Sequence, residues 1–256
     1  MDTKKNPLIG IIGGIGPYAG LDFLRKIFSN TRAVKDQDHI NCILISCPSI
    51  IADRTEFLLN GERCNIENPA RGMFESAQRL YRAGVEYAAV ACNTAHSAPI
   101  FRPFSEMVQE YLPGFTVVNM LETCAAFVKE SLNINHIGLL ASKGTYKSRV
   151  YHEYFQEEEG AVLIEPEEQG REKIHEAIYS KQFGIKTYSQ PVKPHAKNNI
   201  IYEIYRLVER GAQAVILGCT ELPLAVDPRD FSVPILDPGL LTARRLITLA
   251  APEKLL

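Results

Sequence analysis

The chain has 256 residues, of which 46% are hydrophobic and 23% are charged, and its formal net charge is -2. This composition is typical of a globular protein with one large or two small domains. No long run of Lys and Arg provides the basic surface that nucleic-acid phosphates require, and no uninterrupted apolar stretch approaches the roughly 18 residues that span a bilayer. We therefore expect a small-molecule partner, and neither a nucleic acid nor a membrane.

The start of the chain and its cysteines indicate the cellular compartment. Lys4 and Lys5 precede an apolar run, but glycines interrupt it and it continues into an amphipathic helical pattern, which favours a first strand over a signal peptide. The cysteines form no C-x-x-C pair and no small-domain disulfide framework; they are Cys42, Cys47, Cys64, Cys92, Cys124 and Cys219. This usage suits free thiols in a reducing environment and predicts a cytoplasmic protein.

Short runs rich in Ile, Val and Leu alternate with helical patterns along the chain. In order, the sequence predicts a strand that ends at about Gly13, a helix from about Tyr18, a strand from Ile40 to Ser46 and a helix from Asn68 to Arg82. Asn68 is a suitable N-cap for the last of these helices, and Pro69 is its first residue. The alternation predicts an α/β fold with mainly parallel strands.

Two pairs of similar segments indicate an internal duplication. The segment RLYRAGVEYAAVACNTAH from Arg79 resembles RLVERGAQAVILGCTELP from Arg206, and IGIIGGIGPY from Ile9 resembles IGLLASKGTY from Ile137. The cysteines of the first pair are 127 positions apart, and the second pair is offset by 128. Two independent matches at nearly one offset predict that half of the chain is repeated.

The first glycine turn has the spacing of a dinucleotide-binding motif, with Gly14, Gly16 and Ala19 as G-x-G-x-x-A. A dinucleotide also needs an acidic residue at the end of the second strand, but that strand ends in Ser46 and Cys47. The sister turn, ASKGTY, lacks the glycine pair. We therefore interpret the two turns as facing each other across a shared anion, with Gly14 in contact with substrate.

Cys92 and Cys219 occupy equivalent positions where a buried strand gives way to a polar turn. In open α/β sheets this edge binds ligands. If the halves pack face to face, two thiols approach one cleft from opposite sides. Inversion of a carbon stereocentre needs a base on one face and an acid on the other, and two like groups can exchange these roles. The pattern predicts a two-base reaction at a carbon beside a carboxylate.

The residues around both cysteines resemble the aspartate/glutamate racemases, a family of cofactor-independent amino-acid racemases. The paired cysteine motifs are ACNTAH from Ala91 to His96 and LGCTELPL from Leu217 to Leu224. Four further segments are similar to the aspartate racemase branch: GGIGPYA, DQDH from Asp36 to His39, DRT from Asp53 to Thr55 and GIK from Gly184 to Lys186. The resemblance spans nearly the whole chain.

The resemblance implies two similar α/β domains related by a pseudo-twofold axis, each with a mainly parallel sheet flanked by helices, and an active site between them. We expect residues 1–118 and 237–256 to form one domain and 119–236 the other. The resemblance also implies that no pyridoxal phosphate and no metal take part, and that Cys92 and Cys219 are the acid/base pair. Arg54 and Lys186 would bind substrate carboxylates, with Lys181 as an alternative to Lys186 because the spacer before the motif is long.

The remaining polar residues of these turns are predicted to surround the substrate. Asn93, Thr94, Thr145 and Thr220 are expected to bind it, and His96 and Glu221 are further candidates around the cleft. His96 lies four residues after Cys92, but no other residues have the spacing of a four-ligand metal site. The sequence therefore gives no metal site.

The predicted function is racemisation of an acidic amino acid, with aspartate as the expected substrate. Glutamate or hydantoin racemisation, maleate isomerisation and arylmalonate decarboxylation are alternatives in the same superfamily, although decarboxylation needs only one proton donor. A non-catalytic amino-acid-binding module is an alternative of another class, for which both thiols would be unnecessary. A cysteine hydrolase would require a histidine that activates one thiol and gives no role to the second. A homodimer is left open.

Overall fold

The computed structural model describes residues 7–155 and 161–256, except for the side chains of residues 61–64. The described strands form two four-stranded parallel sheets. The first has the order β2-β1-β3-β4 and contains β1 (Leu8–Gly13), β2 (Asn41–Ser46), β3 (Tyr87–Val90) and β4 (Thr116–Val118). The second has the order β6-β5-β7-β8 and contains β5 (His136–Ala141), β6 (Val162–Ile164), β7 (Ala214–Gly218) and β8 (Ile235–Leu236).

Helices cover both faces of each sheet. In chain order they are α1 (Pro17–Ser29), α2 (Arg54–Cys64), α3 (Pro69–Arg82), α4 (Ala98–Tyr111), α5 (Met120–Ser131), α6 (Lys143–Ser148), α7 (Val150–Tyr154), α8 (Glu168–Tyr179), α9 (Pro194–Glu209) and α10 (Pro238–Ala250). The elements predicted around Gly13, Tyr18, Ile40 to Ser46 and Asn68 to Arg82 are confirmed. Asn68 caps α3 as expected, because its Oδ1 accepts a hydrogen bond from the Ala70 backbone N–H at 2.9 Å. None of the described helices is long and apolar enough to span a bilayer.

The two sheets confirm the duplication at the level of single residues. In the first sheet Ile12 pairs with Val90, and in the second Leu140 pairs with Leu217, which are the equivalent residues of the repeat. The same strand order and the same register therefore occur in both halves. The α/β fold with two similar parallel sheets is as predicted.

The central strands alternate between two hydrophobic cores, as buried parallel strands do. Ile9 and Ile11 pack with α1 and α10, whereas Ile12 packs with α3 and α4 on the opposite face. In the second sheet Leu139 packs with α5 and α7, and Leu140 packs with α8 and α9. Each half thus has a core on both sides of its sheet.

The helices that follow the two sheets are exchanged between the halves. Leu121 and Cys124 of α5 pack into the core of the second sheet, although α5 follows the last strand of the first. Leu246 and Ile247 of α10 return to the core of the first sheet. This packing supports the boundaries expected from the sequence, and we propose 1–118 with 237–256, and 119–236, as the two domains.

A buried ion cluster joins α1 to the start of α10. Lys26 forms ion pairs with Asp22, one turn earlier on α1, and with Asp237, with 2.5 Å between Lys26 Nζ and Asp237 Oδ2. Asp237 also accepts hydrogen bonds from the backbone N–H groups of Gly239 and Leu240 and thereby caps α10. Burial lowers the pKa of Lys26, but the two carboxylates outweigh it, so that the pKa is raised. The cluster fixes the position at which the returning helix begins.

Replacing Lys26 by Ala should leave the buried carboxylate of Asp237 without its cation and that of Asp22 with only the exposed Arg25. Removal of one partner of a buried ion pair costs about 3–5 kcal/mol, and we expect the free energy of unfolding to fall by about that amount in urea denaturation at pH 7. Arg25→Ala is the matched control, because Arg25 also pairs with Asp22 but its side chain is 75% exposed. Its loss should stay below about 1 kcal/mol. Equal losses in the two variants would contradict this role of Lys26.

Candidate active site

The two predicted cysteines lie where equivalent strands end. Cys219 follows the last residue of β7 directly, and Cys92 is two residues beyond β3. The Thr220 hydroxyl donates a hydrogen bond to the Ala91 carbonyl oxygen at 3.3 Å, so the two cysteine turns are in direct contact across the halves. Each cysteine is only 7% exposed. Two buried thiols from equivalent turns thus belong to one junction between the halves.

Cys219 is linked to a lysine through a carboxylate. The Cys219 thiol donates a hydrogen bond to Glu221 Oε2 at 3.0 Å, and Lys186 Nζ donates to Glu221 Oε1 at 2.5 Å. Burial and the negative charge of Glu221 both raise the pKa of the Cys219 thiol well above its usual value. Burial would raise the pKa of Glu221, but the ammonium group of Lys186 outweighs it, so that the pKa is lowered. Glu221 is therefore an anion that favours the neutral thiol of Cys219.

The chain after α8 turns back on itself and carries Lys186 to this carboxylate. The backbone N–H of Lys186 bonds to the Ile178 carbonyl oxygen at 3.1 Å, and Ile185 is fully buried beside it. A Cβ at Gly184 would lie 2.5 Å from the Ser180 nitrogen, so this turn requires glycine. Lys181 is exposed. Of the two lysines left open by the sequence, Lys186 is the one at the site.

Arg54 brings a cation to the other cysteine. It is the first residue of α2 and is 7% exposed, and one of its terminal nitrogens donates to the Ala52 carbonyl oxygen at 3.0 Å. Burial lowers the pKa of Arg54, but its interactions with the Cys92 side chain and with the carboxylate of Asp53 outweigh burial, so that the pKa is raised. Its Nε atom is buried and has no hydrogen-bond partner among the described residues. Arg54 thus has a donor free for a bound carboxylate.

His96 holds the backbone of the Cys92 turn. Its Nδ1 lies 2.9 Å from the Cys92 carbonyl oxygen, and its Nε2 accepts a hydrogen bond from the Met120 backbone N–H at 3.3 Å. These partners assign the proton to Nδ1. Burial lowers the pKa of His96 to about 4, so the ring is neutral at pH 7. His96 therefore positions the turn, and within the described residues no three His, Cys, Asp or Glu side chains form a group that could hold a metal ion.

Hydroxyl groups connect the predicted polar residues across the halves. Thr94 and Thr145 are hydrogen-bonded to each other at 2.8 Å, and Ser142 lies 3.3 Å from Thr94 and 3.2 Å from Thr145. The Tyr179 hydroxyl donates to Thr55 Oγ1 at 3.1 Å. These contacts join the two halves through neutral groups that can donate or accept.

Asn93 has one free donor group at this junction. Its Oδ1 accepts a hydrogen bond from the Tyr151 hydroxyl at 2.6 Å, and its Nδ2 is buried with no partner in the part of the chain that the structure describes. Tyr151, Tyr179, Ser142 and Thr55 also reach this junction but are not among the site residues expected from the sequence. Two of these carried a signal: Thr55 belongs to the DRT segment, and Ser142 occupies the position equivalent to Gly14 in the repeat.

A cleft of about 320 Å³ opens beside these groups. Its charged lining consists of Arg54, Lys186, Glu221 and Asp53. Neither cysteine is part of the described lining, but Cys219 contacts Glu221 and Cys92 interacts with Arg54. Charged side chains therefore line the cleft, and each thiol interacts with one of them.

The glycine turn forms another wall of the cleft, through Gly14 and Gly16. Gly14 has φ 78°, and a Cβ there would lie 2.7 Å from the Cys47 nitrogen. Gly16 has φ 105°, and a Cβ there would lie 2.1 Å from Glu221 Oε1. The anion found against this turn is thus the protein's own Glu221 carboxylate, at the start of α1 where the helix dipole favours negative charge.

Comparison with known proteins relates this site to a family. The family described as Asp/Glu/Hydantoin racemase matches residues 12–246. The broad specificity amino-acid racemase RacX of Bacillus subtilis (strain 168) is 23% identical over 252 residues, which cover 94% of this chain and 97% of that protein.

Two solved structures share the fold over nearly the whole chain. The Picrophilus torridus aspartate racemase superposes with a TM-score of 0.76 and 25% identity, covering 95% of this chain and 94% of that one. An aspartate racemase homologue from Pyrococcus horikoshii OT3 gives a TM-score of 0.70 and 26% identity, with 96% and 100% covered. Because the family match includes both cysteine turns and both sheets, the chain belongs to the Asp/Glu/hydantoin racemase family.

Proposed function

We propose that this protein racemises an acidic amino acid, aspartate in particular, by a two-base mechanism in which Cys92 and Cys219 exchange the roles of base and acid. The observation that carries the proposal is the contact between two equivalent cysteine turns, each with a charged group beside its thiol. Membership of the racemase family and the likeness to aspartate racemase structures support it. No cofactor is part of the proposal.

Arg54 is the proposed anchor for the carboxylate at the reacting carbon. Its Nε is unpartnered, and its guanidinium group lies beside Cys92. A planar guanidinium can bind a carboxylate through two parallel hydrogen bonds. Such binding would hold the Cα–H against the thiol and would stabilise the negative charge that develops on the carboxylate during deprotonation.

Lys186 is the proposed partner of the second carboxylate of the substrate. In the ligand-free cleft it is paired with Glu221, so a dicarboxylic substrate has to share or replace that pairing. The hydroxyls of Thr94, Thr145 and Thr220 and the free amide of Asn93 are proposed to donate to the remaining polar atoms. Gly14 allows close approach of the substrate to the first turn.

The proposed reaction moves one proton from Cα to one cysteine and one proton from the other cysteine to Cα. One cysteine thiolate removes the Cα proton, and the electron pair of the C–H bond moves into the carboxylate to give an enediolate-like intermediate. The thiol on the opposite face donates its proton to Cα, which inverts the stereocentre. The enzyme is left with the protonation of its two thiols exchanged, and proton exchange with water restores the starting form.

Broad amino-acid specificity is a second candidate, and one observation favours it. Glu221 neutralises Lys186, whereas Arg54, the other predicted substrate-binding cation, forms no ion pair with a carboxylate among the described side chains. A substrate with a single carboxylate needs no more than Arg54. RacX, the relative that matches almost the whole chain, is a broad specificity amino-acid racemase.

Purified and dialysed protein should convert either enantiomer of aspartate into a racemic mixture without added pyridoxal phosphate or metal. The measurement is loss of the Cα–H signal by proton nuclear magnetic resonance in D2O, for a panel of acidic, neutral and basic amino acids. Faster exchange of aspartate than of the rest supports the narrow proposal, and comparable rates support broad specificity. A requirement for pyridoxal phosphate would contradict both.

Replacing either Cys92 or Cys219 by Ala should reduce racemisation about 10²- to 10⁴-fold, the usual contribution of a general acid/base group. Each variant keeps one base, so each should still exchange the Cα proton of one enantiomer with D2O, and the two variants should prefer opposite enantiomers. Cys42→Ala serves as the control, since Cys42 lies on β2 with no equivalent cysteine in the other half. Native racemisation in Cys219→Ala would refute the two-base mechanism.

Arg54→Lys keeps the positive charge but loses the planar pair of donors. We expect catalytic efficiency to fall by the value of one hydrogen bond to a charged group, about 1.5–3 kcal/mol or roughly 10- to 150-fold. The control is Arg71→Lys, because the Arg71 side chain is 77% exposed and pairs only with Glu67 among the described residues. If kcat and KM of the Arg54 variant equalled those of the control, Arg54 would not bind substrate.

A further inference from the structure

The duplication is broken at one position beside the reacting thiols. In the first half the chain runs Cys92-Asn93-Thr94, and in the second half it runs Cys219-Thr220-Glu221. The residue two positions after the cysteine is thus a neutral threonine in one half and a carboxylate in the other. Equivalent thiols therefore lie in different electrostatic environments.

Glu221 is held in place from three sides. Its Oε2 accepts the hydrogen bond of Cys219 at 3.0 Å, and its Oε1 accepts that of Lys186 at 2.5 Å. Gly16 leaves room for the carboxylate, since a Cβ there would lie 3.1 Å from Glu221 Cδ. The Glu221 side chain is 3% exposed, so its charge is poorly screened by water. A fixed anion is therefore directed at one thiol only.

The other titratable groups around Cys219 do not cancel this anion. The ammonium group of Lys186 is already paired with Glu221. Tyr179 and Tyr151 also interact with Cys219, but burial raises the pKa of both phenols, so they are neutral at pH 7. The nearest charge to act on Cys219 is thus the carboxylate with which it shares a hydrogen bond.

Cys92 has the opposite surroundings. The guanidinium group of Arg54 interacts with it directly, and the carboxylate of Asp53 interacts with the same guanidinium. His96 bonds to the Cys92 carbonyl oxygen and is neutral. Thr94, at the position equivalent to Glu221, directs its hydroxyl to Thr145. A cation therefore acts on Cys92, whereas an anion acts on Cys219.

We propose that Glu221 is a positioning residue that keeps the proton on Cys219 in the resting enzyme, so that Cys92 is the thiolate and the first base. This inference rests on the proposed racemase function. The Cys219 thiol, with its hydrogen bond to Glu221, is then the ready acid. The enzyme has a preferred resting form, and the duplicated cysteines are not interchangeable before substrate binds.

The asymmetry has a defined kinetic consequence. The equilibrium constant between two enantiomers is one, so kcat/KM must be equal for both, whatever the enzyme does. The enantiomer whose Cα–H faces Cys92 binds the resting form. The other enantiomer binds only the minor form, in which the proton is on Cys92. Its apparent affinity is reduced by the fraction of enzyme in that form, so its KM is higher. Its kcat must be higher by the same factor as its KM. Glu221 therefore acts on the ratio of the two KM values.

Alkylation by iodoacetamide tests the proposal without any turnover. In Cys219→Ala protein the peptide of Cys92, followed by mass spectrometry, should be alkylated at a lower pH than the Cys219 peptide in Cys92→Ala protein. Adding Glu221→Gln to Cys92→Ala should lower the midpoint for Cys219 by about one pH unit or more, because a nearby like charge is removed. Glu203→Gln is the control, since Glu203 is a buried carboxylate on α9 that does not line the cleft.

The kinetic test uses Glu221→Gln with both native cysteines. The enantiomer that Cys219→Ala still exchanges with D2O is the one whose proton faces Cys92. The ratio of the KM of the opposite enantiomer to the KM of this one should fall about tenfold or more in Glu221→Gln, which corresponds to one pKa unit. Changes in substrate binding by Lys186 affect both enantiomers and cancel in the ratio.

Each outcome of the alkylation and kinetic tests either supports or overturns the proposed role of Glu221. Alkylation of Cys219 at the same pH as Cys92 or below, or an unchanged Cys219 midpoint in the Glu221 variant, overturns the proposal. If the Glu221 variant does not fold, the comparison of the two single-cysteine proteins still decides. If the alkylation order is as expected but no amino acid is racemised, the control of the Cys219 proton by Glu221 stands and the proposed function fails.

Discussion

The buried carboxylate of Glu221 is the contact on which the organisation of the cleft depends. It bonds to Cys219 at the end of β7, pairs with Lys186 after α8, and lies against Gly16 at the start of α1. Three separate parts of the chain, from both halves, therefore converge on one anion. A buried charge is costly unless it is paired and hydrogen-bonded, so each of these partners constrains the others.

The surrounding junction is polar but largely neutral. Hydroxyls of Thr94, Thr145 and Ser142 link the halves, and the Thr220 hydroxyl bonds to Ala91. Hydroxyl groups can rotate to donate or accept, so such contacts can reorganise around a ligand at modest cost. The rigid part of each half is its sheet, which has a hydrophobic core on both faces. The structure thus combines two rigid sheets with an adaptable interface.

Duplication places two like thiols at the junction, but the local charges make the two halves different. Arg54 is the first residue of α2, which lies between β2 and α3. In the second half, α8 is the described helix between β6 and α9, and Lys186 lies in the loop after the end of α8. Lys186 and Arg54 are therefore not equivalent residues, although both bring a cation to the cleft. The fold repeats its strands, whereas the charges that line the cleft arise from the segments that differ.

The strands, the repeat and the cysteine turns were predictable from the amino-acid sequence, because hydrophobic periodicity and a repeat offset near 128 can be read directly from the residues. The sequence also identified Arg54 and two candidate lysines, through resemblance. The resemblance also implied the domain boundaries that group α5 with the second sheet and α10 with the first. Only the tertiary structure placed Lys186 in the lining of the cleft and paired it with Glu221 over 35 positions of chain. This pairing depends on the path of the loops and on burial, which excludes the water that would screen the two charges. Neither can be read from residues that are neighbours in the sequence.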